Sequence, residues 1–174
     1  MERIFEADVL FAPFFIYVRC AGEYSDADFL ALFEVRNYKR KASVSHECQS
    51  AAISSVDGWM MLADDWGYTL WNRPATHRTI GRLAQQYDLF TCFLGDIDDS
   101  YHFVLYRDGR RIREYQWLCP ALSPPRATID YGIPLPGEAE ANLQADHWKR
   151  IVEVAESLGL KGHRRESSIR YFAP

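Results

Sequence analysis

The chain predicts an α+β fold in a single domain, a mostly antiparallel sheet with helices packed on it. Three observations carry that expectation. Runs of apolar, β-branched and aromatic residues recur at Phe14–Val18, Trp59–Ala63 and Leu89–Leu94. Segments with apolar residues at helical spacing alternate with these runs. The pairs Asp57-Gly58 and Asp108-Gly109 offer the residues that tight hairpin turns need.

The first twenty residues read as extended structure, centred on Phe14-Phe15-Ile16-Tyr17-Val18. Ser25 then caps a helix whose first turn holds Asp26 and Asp28, where the helix dipole favours negative charge. Phe29, Leu30, Phe33 and Asn37 fall on one stripe of it, and Lys39-Arg40-Lys41 closes its C-terminal end. Ala42 to Val56 has no clean period and predicts neither state. Trp59–Ala63 is a strand launched by Asp57-Gly58. Tyr68–Trp71 resumes in strand-like residues after Asp64-Asp65-Trp66-Gly67, as a hairpin partner or a bulged continuation.

The next helix is capped by Asn72, carries Pro74 in its first turn, and repeats Ile80, Leu83, Ala84 and Tyr87 on one face. Leu89–Leu94 is almost wholly apolar, which suits a central strand covered on both faces. Tyr101–Tyr106 and Arg110–Leu118 form the two arms around Asp108-Gly109. Arg111, Arg113 and Glu114 give the second arm a wet face near a sheet edge. The prolines of Pro120–Gly137 predict a connection with at most a short strand at Ala127–Tyr131. A last helix spans about Glu138–Leu158, with Trp148, Ile151, Val152 and Ala155 as its core stripe and Gly159 as its stop. This places the domain in residues 1–160, followed by a basic, solvated tail over 161–174.

At 174 residues, 48% of them apolar, the chain has enough material for a core without staples. Its net charge of −4 argues against general nucleic-acid binding, which wants a basic footprint. No apolar run approaches the roughly 18 residues of a membrane helix. Val9–Val18 is interrupted by Pro13 and lacks the flanks of a signal peptide, so the expected location is cytoplasmic. Cys20, Cys48, Cys92 and Cys119 are too scattered for a zinc set and read as reduced structural thiols. No cofactor is implied.

Chemistry concentrates in two acidic stretches. Asp96-Ile97-Asp98-Asp99-Ser100 opens like a calcium loop, but Tyr101 stands where glycine is needed and Arg107 where the bidentate glutamate belongs. Asp64 and Asp65 would pair with Asp96 or Asp98 as acid and base if the two strand ends were adjacent. His102 lies on a strand among aromatic residues and reads as a hydrogen-bonded, half-buried imidazole. The nucleophile-elbow, phosphate-loop and zinc-helix motifs are missing from the sequence. Acidic segments beside Trp66 and Trp71 suit the docking of a basic partner, with the aromatic rings as anchors.

The run Gly58-Trp59-Met60-Met61-Leu62-Ala63-Asp64-Asp65-Trp66, with Gly95-Asp96 and the Asp108-Gly109 hairpin, resembles small bacterial α+β proteins. Some of these are immunity proteins encoded beside secreted antibacterial toxins. The similarity covers about Asp57–Glu114. It implies a non-enzymatic protein that binds a cognate toxin and occludes its active site, and many such toxins are basic nucleases. The resemblance transfers no inhibitory residue. The residues expected at the partner interface, Asp64, Asp65, Trp66, Trp71, Asp96, Asp98 and Asp99, rest on charge and aromatic character alone. A homodimer stays open. The rival expectations are a small carboxylate-based hydrolase or transferase, with or without a metal, and a small-molecule sensor with an apolar pocket.

Overall fold

A computed structural model describes residues 14–42, 50–64, 70, 72–94, 100–120, 124–139, 147–160 and 169–174. In chain order these form β1 (Phe14–Val18), α1 (Asp26–Leu32), β2 (Lys39–Lys41), β3 (Ala51–Val56) and β4 (Trp59–Asp64). They continue with α2 (Pro74–Ala84), β5 (Leu89–Leu94), β6 (Tyr101–Arg107), β7 (Arg110–Leu118) and β8 (Arg126–Gly132). The last elements are α3 (Pro136–Ala139), α4 (His147–Ser157) and β9 (Arg170–Ala173). All the strands join one sheet in the order β2-β9-β3-β4-β1-β5-β6-β7-β8, and every neighbouring pair is antiparallel. The fold is mainly sheet with a few short helices, in keeping with the α+β expectation.

Alternation along the central strands divides the core between two faces. Phe14, Ile16 and Val18 of β1 point to the side where α1 contributes Phe29 and Leu30 and α2 contributes Ile80 and Leu83. Phe15 and Tyr17 point the other way, toward Ile151, Val154 and Ala155 of α4. Phe90 and Cys92 of β5 join the α4 side while Leu89 joins the α1–α2 side, so this central strand is covered on both faces as expected. Each large apolar side chain buried this way contributes about 1.5–3 kcal/mol.

Turn chemistry behaves as read. Asp57 and Gly58 take φ of 51° and 83°, and Asp108 and Gly109 take 49° and 74°, the left-handed pairs that let two-residue hairpins follow strand twist. Ser25 caps α1, its hydroxyl accepting the Asp28 N–H at 3.2 Å. At the far end α1 stops at Leu32 in a double-bonded cap. The Glu34 N–H donates to the Ala31 carbonyl and the Val35 N–H to that of Leu30, each at 3.1 Å.

Several expectations change. Asn37 is not on a helix stripe but in a connection, with φ of 68°. Lys39-Arg40-Lys41 does not close α1. It is the exposed edge strand β2, whose charges discourage pairing with a further strand. The N-cap of α2 is Arg73 rather than Asn72, without a side-chain cap bond, and Pro74 stands in its first turn. The undecided stretch resolves into β3 from Ala51, while residues 43–49 lie outside the described residues. Leu70 is a buried turn residue, and the rest of the supposed second strand at 68–71 lies outside them.

The proline-rich connection holds a full seven-residue strand, β8, at the sheet edge. The last helix appears as α3 and α4, with 140–146 outside the described residues. Ile151 and Ala155 of its stripe are buried, whereas the side chains of Trp148 and Val152 are outside the described set. Of the expected basic tail, Arg170–Ala173 is strand β9, held between β2 and β3. Arg170 reaches Asp26 at the start of α1 with two hydrogen bonds, of 2.5 and 2.7 Å.

Candidate functional site at one end of the sheet

Strand register decides where the acidic segments attach. Phe14, the first residue of β1, is level with Asp64 on one side and with Phe93 on the other. Asp64 ends β4, and Leu94, one residue past Phe93, ends β5 and faces Tyr101 at the start of β6. The strand ends that lead into 65–69 and 95–99 therefore share one end of the sheet, with only β1 between them. Two strand spacings put those ends about 10 Å apart. Of the residues expected to meet a partner, Asp64 is placed by its backbone. Asp65, Trp66, Trp71, Asp96, Asp98 and Asp99 lie outside the described residues, as does the calcium-loop-like run 96–99.

The return from the second segment is pinned. The Cys119 N–H at the end of β7 donates to the Ser100 hydroxyl at 2.8 Å, fastening the start of β6 to its neighbour. Next to it, on the α1–α2 side of the sheet, runs a polar chain. Glu114 of β7 is buried, and its carboxylate takes a ring nitrogen of His102 at 2.9 Å and the Arg111 guanidinium on its other oxygen. Arg111 also sits 4.3 Å above the Tyr131 ring of β8, a cation–π contact. Burial, then the charge of Glu114, pushes the Tyr106 phenol above its ordinary range, with Arg111 partly opposing. His102 is the half-buried, hydrogen-bonded imidazole expected from sequence.

This cluster holds a histidine–carboxylate pair, but Cys92 does not serve it. That thiol lies in the core on the α4 side, and burial pushes its pKa well up. Cys20, Cys92 and Cys119 are free thiols, while Cys48 lies outside the described residues. Among the described residues no three His, Cys, Asp or Glu side chains converge as metal ligands. None of the described helices is long and apolar enough to cross a membrane.

Sequence reasoning missed the buried ion pair behind β8. Arg113 was expected on the wet face of β7, yet it is fully buried. An irregularity in register between Leu105 and Tyr106 of β6 makes Ile112 an extra residue in β7, so a simple alternation no longer assigns the faces. The guanidinium binds both carboxylate oxygens of Glu138 at 2.6 and 2.8 Å, Asp130 at 2.5 Å, and the Tyr131 carbonyl at 2.9 Å. Burial alone disfavours its charge, but Glu138 and Asp130 outweigh that and hold it more firmly protonated than usual. The network fixes the end of β8, where Tyr131 and Ile133 stand exposed with Ile112, and Ile133 is 84% accessible. Tyrosine, arginine and large apolar groups together have the composition of an interface core.

On the sheet face that they cover, opposite α4, α1 and α2 leave an open groove of about 780 Å³, lined by both charged and apolar residues. It is not the enclosed apolar pocket that a small-molecule sensor needs. No family model, curated protein or solved structure matches the chain.

Proposed function

We propose that this is an immunity-type inhibitor that binds a cognate secreted antibacterial toxin and covers its active site. One observation carries the reading: the ends of β4 and β5, which lead into the two acidic stretches, the first of them bearing Trp66 and Trp71, lie level and about two strand spacings apart. Convergence of Asp64 and Asp65 with Asp96, Asp98 and Asp99 would give a local negative field in a chain already at −4. Against a basic nuclease such a field imitates the phosphates of its substrate, while Trp66 and Trp71 supply anchors. The exposed Tyr131, Ile133 and Ile112 offer further apolar contact on the β8 wing.

The test is coexpression with the toxin encoded by the neighbouring gene. Protection and a copurifying complex are expected, and Asp64→Lys with Asp96→Lys should weaken both. Absence of a complex and of protection ends the reading. The His102–Glu114 pair favours a second one, a small hydrolase or transferase. Turnover of an ester or phosphoester substrate that is lost in Glu114→Gln would establish it.

A further inference from the structure

We propose that the groove between α1 and α2 is a docking site for an acidic peptide segment of a protein partner, separate from the sheet end assigned to the toxin. The evidence starts in the sequence of α2 and its flanks. From Asn72 to Tyr87 there is no Asp or Glu, while Arg73, His77, Arg78 and Arg82 are present. In a chain of net charge −4 this is a local reversal of sign. Arg78 and Arg82 are one turn apart on one side of the helix, where like charges repel by about 0.2–0.5 kcal/mol. Arg36, from the connection after α1, lines the same groove.

Four other arginines of the fold are paired: Arg19 with Asp88, Arg111 with Glu114, Arg113 with Glu138 and Arg170 with Asp26. Among the described residues no carboxylate pairs with Arg36, Arg78 or Arg82. Two acids do line the groove, but Asp28 already accepts the Ser25 hydroxyl at 2.6 Å. The other, Glu34, stands at the α1 terminus. Three exposed guanidiniums therefore stand together without a carboxylate counterion among the described residues.

Width and floor select the ligand. The Thr79 hydroxyl donates to the Leu32 carbonyl at 2.8 Å, tying α2 to the end of α1 and fixing their separation. Ala31, Leu32 and Ala75 give the groove small apolar surfaces between the cations. A segment that alternates carboxylates with small apolar side chains matches that lining. A nucleic-acid backbone matches it less well, because its evenly spaced phosphates would meet Asp28 and Glu34 as well as the arginines.

The experiment is an anisotropy titration of the full chain with a short fluorescein-labelled peptide of repeated Glu-Glu-Ala, at low and at physiological salt. Saturable binding that weakens with salt is expected. Arg78→Glu with Arg82→Glu should weaken it about tenfold or more, the equivalent of about 1.4 kcal/mol. Arg36→Gln, outside any helix, should give a smaller loss in the same direction, and far-UV circular dichroism should be unchanged in all variants. Arg110→Glu, exposed on the β6–β7 hairpin, should have no effect. Lack of saturable binding, an equal loss with Arg110→Glu, or tighter binding of a single-stranded oligonucleotide of equal charge would overturn the proposal. Toxin binding by the sheet end is scored separately in the same Arg78/Arg82 variant, so the failure of one surface is distinguishable from failure of the other.

Discussion

The guanidinium of Arg113 and the carboxylate of Glu138, twenty-five residues apart, meet as a two-bond pair with both side chains fully buried. Glu138 also accepts the Leu135 N–H at 2.8 Å, so one carboxylate fastens both β7 and the turn before α3. Removing Arg113 leaves the Glu138 carboxylate without its counterion in the interior, and removing Glu138 leaves the buried guanidinium with the partly exposed Asp130 as its remaining carboxylate. Arg113→Met or Glu138→Met alone should cost about 3–5 kcal/mol in urea denaturation, and the double replacement much less than the sum. A loss in the double variant equal to the sum of the two single losses would show that packing, rather than charge compensation, holds this corner.

Gly132 ends β8 with φ of 88°, and a Cβ there would lie 2.1 Å from the Ile112 carbonyl oxygen. Both the backbone conformation and the space demand glycine. Gly132→Ala should destabilise by more than about 2 kcal/mol. Thermal unfolding checks this, and a melting temperature equal to that of the parent would refute the close approach.

Glu34 presents the opposite case. It occupies the left-handed position after α1, with φ of 59°, where glycine is the usual occupant. Glu34→Gly should raise stability by about 0.5–1 kcal/mol, because the cap bonds at Ala31 and Leu30 need no side chain. A loss of stability would mean that the Glu34 side chain contributes more than its backbone strain costs.

Cys20 sets an alkaline limit. Burial, aided by the nearby charge of Glu23, pushes its thiol up to about 12 from an ordinary value of 9.0. The folded state keeps the proton that the unfolded chain releases, so stability is fully present below pH 9 and falls as pH rises toward 12. Cys20→Ala should flatten the decline over that window in a stability-versus-pH series. The same burial predicts slow alkylation of Cys20 at pH 8 compared with the less buried Cys119.

Legibility in the sequence followed range. The Asp57-Gly58 and Asp108-Gly109 turns, the Ser25 cap and the doubly covered Leu89–Leu94 strand depend on residues close in the chain, and all were readable. Lys39-Arg40-Lys41 satisfied a local rule for a helix end, yet its backbone pairs with Tyr171–Ala173, more than a hundred residues away. No local pattern records such a partner. Arg113 was misplaced for a related reason: one extra residue at Ile112 breaks the alternation on which a wet-face reading depends. His102 was readable because its aromatic strand neighbours forecast its environment. Of the acidic stretches the sequence supplied the composition, and strand register supplied the common end of the sheet.

The position of β9 bears on how the chain is made. Its four residues follow every other strand in sequence, yet they enter the sheet between β2 and β3 rather than at a border. During synthesis β3 must wait with one row of amides and carbonyls unpaired, and Asp26 must wait 144 residues for Arg170. Until then the nascent chain shows a sticky flank beside Ala51-Ala52-Ile53, the kind of surface that recruits chaperones or neighbouring chains. A premature stop before residue 170 would make that transient flank permanent.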